Sequence, residues 1–245
     1  MIIRFIIFCL LFSTAVQAKP IVADISGHKI TIHTSFNGTE LMLFGARNEA
    51  GDIVTIVRGP EKHAIIRKKE RLYGLWVNRE QRDFDYIPSF YALATSRPFE
   101  EIKKSPFFDN LGIGYESALT PKGNRHEFRE TSGNGAFLRA MLHHLREEQV
   151  YNSQSLPIKF IGETLFKAII PFPDNTPGGN YTVEVYLFSD GEMVGMQTIP
   201  IQVEKVGFDA FVYNASLQYS YLYAICAIML ALFSGWIASR IFERF

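Results

Sequence analysis

The residues best suited to chemistry are two histidine–glutamate pairs near the middle of the chain. The pairs are His143 with Glu147 and His144 with Glu148. A spacing of four places both members of a pair on one face of a helix, where an imidazole and a carboxylate can share a metal ion. A closed zinc site needs two further ligands, and His126 and Glu127 are the nearest candidates. The commoner outcome is a solvated helix flank with ordinary charge pairs, so we expect no metal and no cofactor.

A basic segment is the second candidate. Residues 58–82 hold eight lysines and arginines against three acids. On a strand, Arg67, Lys69 and Arg71 share one face, because side chains alternate across a strand. Such a row can receive an anionic solute or lipid headgroups, and Tyr73 and Trp76 can supply an aromatic platform nearby. The alternative is an edge strand that lysine and arginine protect against aggregation.

The element that positions the whole chain is an apolar run at residues 219–238. It carries no charge and is long enough to cross a bilayer as a helix of about 20 residues. We predict a transmembrane helix at residues 217–239 and a tail at 240–245. The tail contains Arg240 and Arg244, and basic residues beside a span favour the cytoplasmic side of the membrane.

Small residues recur every four positions along this predicted span. They are Ala227, Ala231, Gly235 and Ser239. Small side chains at this spacing form a smooth stripe that allows a second helix to approach closely. The alternative is that alanine and glycine are simply common in spans.

Residues 1–18 have the features of a secretory signal peptide. Arg4 precedes a short apolar core, and Val16 and Ala18 occupy the positions that a signal peptidase inspects. We predict cleavage after Ala18; the alternative is an uncleaved second anchor. Together with the C-terminal span, a signal peptide predicts a single-pass protein with its body exported and its C-terminus inside.

The exported body shows no sign of catalysis or of nucleic-acid binding. Residues 19–216 carry 22 lysines and arginines against 24 acids, which gives no charge-based indication of a nucleic-acid partner. The body contains no cysteine, because Cys9 lies in the signal peptide and Cys226 lies in the span. The chain has no nucleophile elbow, phosphate loop, dinucleotide fingerprint or HExxH motif. We therefore expect that the protein is not an enzyme.

Alternating apolar and polar residues predict strands in most of the body. Asn37-Gly38 between two such runs predicts a hairpin, and Asp190-Gly191 predicts another. The run at residues 181–187 alternates most clearly. Further predicted strands lie at residues 29–36, 52–58, 63–69, 72–78 and 89–95, with a polar loop at 79–88.

The predicted fold is mainly β. We expect an immunoglobulin-like antiparallel β-sandwich, built from residues 19–97 and 157–209, with a helical insertion at residues 98–156. The immunoglobulin-like detail depends on a proline–glycine turn before Tyr181, which is typical of a tyrosine corner. Within the insertion, residues 136–149 show one apolar face and predict a helix. The aromatic residues between Tyr86 and Phe108 are expected to form core between sheet and insertion; the alternative is a partly exposed surface for a partner.

Several strings place the chain near a known family. They are SFNGTELMLFGA, VRGP, RKKERLYGLWVN, PSFYALATSRP, YTVEVYLFSDG and the terminal GWIASRIFERF. In order and spacing they resemble the alphaproteobacterial putative transmembrane protein family, whose molecular function is unassigned. The resemblance implies a bacterial inner-membrane protein with a periplasmic body. It also implies a transport or sulfur-metabolism context, because such proteins are often encoded beside sulfite-exporter-like permeases.

Three functions are consistent with these features. The first is a non-enzymatic periplasmic interaction module, an accessory subunit of a transporter or complex, with an integral membrane protein such as a permease as its partner. The second is a periplasmic anion-binding or sensing domain that uses Arg67, Lys69 and Arg71, in a sulfur oxyanion context. The third, which we rank last, is a metal-dependent enzyme that uses the region around His143 and Glu147.

Overall fold

The structure is a computed structural model that describes residues 19–33, 37–103, 107–120 and 134–242. The predicted signal peptide, His126, Glu127 and the last three residues lie outside these ranges. The strands are β1 (Ile21–Ile25), β2 (Lys29–Ile32), β3 (Thr39–Arg47), β4 (Asp52–Arg58), β5 (Glu61–Leu72), β6 (Leu75–Pro88), β7 (Tyr91–Thr95), β8 (Leu156–Pro157), β9 (Lys159–Ile161), β10 (Leu165–Phe172), β11 (Gly179–Ser189) and β12 (Glu192–Lys205). The helices are α1 (Phe99–Ile102), α2 (Phe107–Leu111), α3 (Tyr115–Ala118), α4 (Asn134–Glu147), α5 (Phe208–Gln218) and α6 (Ser220–Phe242).

The strands form two sheets and a separate hairpin, which confirms the mainly β class. The four-stranded sheet has the order β1-β3-β10-β9 and is antiparallel throughout. The six-stranded sheet has the order β2-β12-β11-β4-β7-β8, and two of its pairings, β2 with β12 and β7 with β8, are parallel. Strands β5 and β6 pair only with each other among the described strands.

One hydrophobic core joins the sheets and the helices. Residues that alternate along β10 and β11 point inward, and rings from both sheets meet where Phe172 lies 5.7 Å from Tyr181. Phe90 stacks on Phe172 with ring centroids 4.9 Å apart. Strand β7 is buried on both faces, because the helices between β7 and β8 cover the side of the sheet that faces away from the four-stranded sheet. Phe108 of α2 stacks there on Phe188 at 4.6 Å.

Three described rings of the aromatic segment are core, and Tyr86 is exposed. Phe90, Tyr91 and Phe108 are almost fully buried, as expected, whereas Tyr86 is 76% exposed. Tyr86 has a φ of 58° and lies in an irregular part of β6, where the pairing with β5 shifts. The irregularity turns this ring away from the core.

The prediction of a hairpin at Asn37-Gly38 is wrong. Strand β2 before it pairs in parallel with β12, and β3 after it pairs with β1 and β10, so the chain passes from one sheet to the other at this point. Gly38 has a φ of 91°, so the backbone does adopt the positive φ that the Asn-Gly dipeptide predicts. A turn signal fixes the local backbone, but the burial of the flanking strands decides which strands pair.

The hairpin predicted at Asp190-Gly191 is confirmed. Ser189 pairs with Glu192, and Asp190 and Gly191 have φ values of 51° and 85°. Two central residues with positive φ match the right-handed twist of the flanking strands, which is why this dipeptide predicts a two-residue turn.

Residues 72–88 differ from the prediction of a strand followed by a polar loop. The chain turns at Tyr73-Gly74, with φ values of 48° and 88°, and the polar stretch is strand β6. Most of β6 is exposed on both faces, so it lacks the apolar alternation that marks a half-buried strand.

The immunoglobulin-like detail is not confirmed. Tyr181 does form the tyrosine-corner contact, since its hydroxyl donates to the Pro177 carbonyl oxygen at 2.6 Å.

Helices α1 to α4 lie between β7 and β8, in the region of the predicted insertion. Helix α4 begins two residues earlier than the predicted 136–149 and ends two residues earlier.

Candidate functional site

The basic row predicted from the sequence lies on the long hairpin, which we define as β5 and β6. The base of the long hairpin is fixed to the body, because Ala64 and Ile66 pack against the core. Arg82 adds a second attachment: its Nε donates to Asn134 Oδ1 at 3.2 Å, and its guanidinium lies 5.4 Å from the Phe137 ring centre. The part of the long hairpin beyond Ile66 leaves the body and is mostly exposed.

Arg67, Lys69 and Arg71 share one face of the long hairpin, which we call its outer face. Alternation puts them opposite the side that carries Ala64 and Ile66. Their cross-strand partners are the uncharged Gln81, Asn78 and Trp76. Within the described part of the chain, none of the three cations forms an ion pair.

The opposite face of the long hairpin is neutralised internally. Glu70 pairs with Lys68 at 3.1 Å and with Arg79 at 2.8 Å. These hydrogen bonds also lower the pKa of Glu70, that from Arg79 most strongly. The positive charge available to a ligand is therefore concentrated on the outer face.

The tip of the long hairpin is apolar and uncovered. Tyr73 is 99% exposed, Leu75 71% and Trp76 68%, and Leu72 and Val77 are also exposed. The sequence prediction placed Tyr73 and Trp76 near the basic row but did not find the tip, because it assigned residues 72–78 to a strand. The usable signal was Tyr73-Gly74 between Leu72 and the apolar run Leu75 to Val77.

The long hairpin and the C-terminal helix leave the body from the same end of the six-stranded sheet. Arg58, the last residue of β4, pairs with Thr182, which pairs with Pro200 of β12. These three residues lie side by side across the sheet. Beyond Pro200, β12 runs parallel to β4 as far as Lys205, and the chain then enters α5 and α6. The path of the chain into the long hairpin is close to β11, since a Cβ added to Gly179 would lie 2.9 Å from Pro60.

Helix α6 is long and apolar enough to cross a membrane. Its candidate span, Ser220–Arg240, has 21 residues, and none of its most apolar window is buried against the rest of the described chain. At 1.5 Å per residue the span is about 31 Å long, close to the thickness of a hydrocarbon core. The guanidinium of Arg240 lies 5.8 Å from the Trp236 ring centre near its C-terminal end.

The small residues of the span lie on one side of this helix. Ala227, Ala231, Gly235 and Ser239 follow one another at a spacing of four, and the helical period of 3.6 adds Ala224, Ser234 and Ala238 to the same half of the surface. The opposite half carries larger apolar side chains, among them Met229 and Phe233.

The outward face of the four-stranded sheet carries an apolar patch that the sequence analysis missed. Its members, which we call the outer-sheet patch, are the exposed Val22, Met42, Phe44, Ile161, Leu165 and Ile169. Met42 pairs with Ile169, and Leu165 pairs with Ile161; Lys167, which pairs with Phe44, lies between these two pairs on the same face. The signal was the LMLF run of β3, which is apolar on both faces of the strand.

Arg58 does not belong with the exposed cations, although the sequence analysis counted it among them. Its Nε donates to Glu184 Oε2 at 3.1 Å, and its Nη2 donates to the carbonyl oxygens of Leu111 and Gly112. Burial alone would lower the pKa of Arg58, but Tyr91 and Glu184 raise it overall, so the guanidinium stays charged. Arg58 is a structural link between the six-stranded sheet and the helices.

A cleft of about 770 Å³ lies between that link and the base of the long hairpin. Glu61, Asp83, Asp85 and Glu184 make its lining mainly acidic. His63 Nε2 lies 3.3 Å from Asp85 Oδ1. The cleft is therefore unsuited to an anionic ligand.

The histidine–glutamate pairs lie on the exposed side of α4. His143 Nε2 is 3.2 Å from Glu147, and His144 Nε2 is 3.3 Å from Glu148. Across the described ranges, no three histidine, cysteine or acidic side chains come together in a group that could hold a metal ion. The two further candidates, His126 and Glu127, lie outside those ranges.

Comparisons with known proteins identify a family but no activity. No curated protein matches the chain. Ten chains of solved structures match, and one is titled "Structural basis of T cell specificity and activation by the bacterial superantigen toxic shock syndrome toxin-1". It is 6% identical, the alignment covers 76% of this chain and 99% of that chain, and the TM-score is 0.25, a similarity too low to support any argument.

A family model described as "Putative transmembrane protein (Alph_Pro_TM)" matches residues 20–244, nearly the whole chain. That match agrees with the candidate span at Ser220–Arg240 and with a location in a membrane. The chain therefore belongs to the Alph_Pro_TM family of transmembrane proteins.

Proposed function

We propose that the protein is a non-enzymatic interaction module that is anchored in a bacterial inner membrane and serves as an accessory subunit of a transporter or another membrane complex. The observation that carries the proposal is the outer-sheet patch. Six exposed apolar side chains on one sheet face, with Lys167 among them, are costly to leave in water and favour a binding surface. Because α6 ties the chain to a bilayer, the partner is expected to be an integral membrane protein.

The span supplies a second contact in this proposal. The small-residue side of α6 allows a partner helix to approach closely, while the larger side chains of the other half face lipid. Contacts in the membrane and on the outer-sheet patch would fix both the position and the orientation of the body. A permease, which the family resemblance suggests, presents both kinds of surface.

The proposed topology has a periplasmic body and a cytoplasmic C-terminus. Arg240 beside the span supports it, because basic residues next to a span favour the cytoplasmic side. The predicted signal peptide at residues 1–18 points the same way. Reporter enzymes fused after Phe245 should be active only in the cytoplasm, and activity only in the exported compartment would overturn this topology.

Co-purification from mild detergent tests the partner. The double variant Ala231→Leu/Gly235→Leu should lose most of the partner, because two added side chains would separate the helices. The matched control, Cys226→Leu/Met229→Phe, adds bulk on the opposite half of the helix and should retain the partner. Unchanged recovery with Ala231→Leu/Gly235→Leu would count against a contact through the span.

The outer-sheet patch needs its own variant. Met42→Thr/Ile169→Thr removes a central cross-strand pair of the patch without touching the core. Met196→Thr, which changes an exposed methionine of the other sheet, is the control. Loss of the partner with the patch variant alone is expected; equal recovery from both would remove the observation on which the proposal stands.

Anion binding or sensing is the second candidate, and the unpaired outer face favours it. Three cations whose directly opposite cross-strand residues are uncharged can accept an oxyanion such as sulfite or sulfate. The test is a titration of the full-length protein in detergent with sulfite, sulfate and phosphate. A rise in melting temperature that is lost in Arg67→Gln/Lys69→Gln would support it, and no rise at millimolar anion would reject it.

A metal-dependent enzyme is the third candidate. The two histidine–glutamate pairs on α4 are the observation that supports it. Metal analysis of protein purified without a chelator or a histidine tag decides it. Less than about a tenth of an equivalent of bound metal would reject the hypothesis.

A further inference from the structure

We propose that the tip of the long hairpin is a second membrane attachment, which binds the anionic surface of the bilayer that holds the span. The residues involved are the exposed apolar tip, Leu72 to Val77, and the outer-face cations Arg67, Lys69 and Arg71. The proposal needs the membrane anchor but not a protein partner, so it can fail or succeed independently of the accessory-subunit function.

The composition of the tip fits a membrane interface. Trp76 and Tyr73 have the amphipathic rings that favour the headgroup layer, and Leu72 and Leu75 beside them can enter the acyl boundary. Leaving these side chains in water forgoes the hydrophobic stabilisation that a bilayer would provide. The type of turn supports this presentation, because Tyr73 and Gly74 both have positive φ and form a narrow end.

The charge of the same segment fits an anionic lipid surface. Between Arg67 and its cross-strand partner Gln81 there are five basic residues and two acids, a net charge of +3. Glu70 is already occupied by Lys68 and Arg79 on the opposite face. The outer-face cations therefore lie just behind the apolar tip and remain free for phosphate groups. Apolar side chains with cations behind them match the layered order of acyl chains and headgroups.

The topology brings the tip and the bilayer to the same end of the molecule. The row Arg58–Thr182–Pro200 marks the edge from which both the long hairpin and the path to the span depart. From Arg67 to the turn the strand extends about 20 Å. This length exceeds the roughly 5–8 Å thickness of one headgroup layer, so the tip can reach the acyl boundary while the body stays in water.

A bilayer is a better fit than a protein partner for this surface. A protein pocket for the tip would need acidic groups arranged against three cations and a groove for four large apolar side chains. An anionic bilayer provides both without any specific shape, and the protein's own span keeps one within reach. Contact with a protein is the alternative that the experiment must separate.

Trp76 provides a direct measurement. The chain has two tryptophans, so Trp236→Phe leaves Trp76 as the sole tryptophan reporter. This variant of the full-length protein is reconstituted into nanodiscs of phosphatidylcholine, with or without phosphatidylglycerol. Quenching by acrylamide reports exposure to water, and quenching by lipids brominated near the headgroup reports insertion. With phosphatidylglycerol we expect blue-shifted emission, protection from acrylamide and strong quenching by the brominated lipid.

Charge variants show whether the outer face drives the contact. Each basic side chain near an anionic surface strengthens binding by on the order of fivefold. Arg67→Gln/Lys69→Gln/Arg71→Gln should therefore shift the bound-to-free ratio of the tip by on the order of a hundredfold. The control Lys103→Gln/Lys159→Gln/Lys167→Gln removes the same charge away from the long hairpin and should leave Trp76 protected.

The outcomes are distinct. Protection that requires phosphatidylglycerol and the outer-face cations supports the proposal. Acrylamide quenching of Trp76 that is the same with and without phosphatidylglycerol overturns it. Protection that appears only when membrane proteins of the native cell are reconstituted together with the chain also overturns it, in favour of a protein contact.

Discussion

The link between Arg58 and Glu184 gives the sharpest prediction for the body. Both side chains are about one fifth exposed, at 20% and 19%. Replacing Arg58 by Met leaves the Glu184 carboxylate with Tyr186 as its remaining partner and leaves the carbonyl groups of Leu111 and Gly112 without this donor. Removing one partner of a buried ion pair costs about 3–5 kcal/mol, and the residual exposure places this pair near about 3 kcal/mol.

The assay is thermal unfolding of the full-length protein in detergent, followed by circular dichroism of the strands. A loss of about 3 kcal/mol lowers the melting temperature by roughly 6–12 °C for a body of this size. The double variant Arg58→Met/Glu184→Gln removes the orphan charge and should recover at least about 1 kcal/mol of that loss. If Arg58→Met shifts stability by less than about 1 kcal/mol, or if the two substitutions are simply additive, the assignment of Arg58 as a buried structural link is refuted.

Three further predictions concern the body. The hydrogen bond from Arg97 holds the pKa of Asp52 below its ordinary value of 3.8, so the stability that Asp52 adds is complete above that pH and is lost as the pH falls through the lower folded value. The stability difference between wild type and Asp52→Asn, measured by urea unfolding, should therefore shrink in strong acid; a constant difference would contradict this. Tyr181→Phe removes the hydrogen bond to Pro177 and should cost about 1 kcal/mol in the same urea assay. Gly45→Ala should cost more than Tyr181→Phe, because the new Cβ would lie 2.5 Å from a buried phenyl ring on the neighbouring strand and from a carbonyl oxygen.

Elements with one buried face were predictable from the sequence. Strand β11 buries Tyr181, Val183 and Val185 in alternation. Because one face of the strand packs in the core, apolar residues recur at every second position of its sequence. The Asp190-Gly191 turn could also be predicted, because it joins two strands that are neighbours in one sheet. In both cases local chemistry and tertiary packing favour the same structure.

Elements decided by distant contacts were not predictable. The turn at Asn37-Gly38 joins two sheets, and only the burial of β2 beside β12 determines that change. Strand β6 lacks an apolar period because both of its faces are largely in water. The charge of the outer face could be predicted from the sequence. The tip of the long hairpin and the outer-sheet patch could not, because both depend on which apolar residues the fold leaves uncovered.

The arrangement as a whole explains why sequence motifs reveal little about function. The outer-sheet patch is assembled from strands that lie far apart in the chain, and the apolar tip is recognised only from the exposure that the fold leaves it. The span is the exception, because its length and apolar character are visible in one continuous stretch.

The central claim, that the anchored body binds a membrane protein partner, is tested most directly by photo-crosslinking in living cells. A photoreactive amino acid replaces Phe44 in the outer-sheet patch, or Ala231 on the small-residue side of the span, with Met196 as the control position. We predict a discrete adduct with another integral membrane protein from Phe44 and Ala231 but not from Met196. The absence of adducts from both test positions, or identical adducts from all three, would contradict the claim.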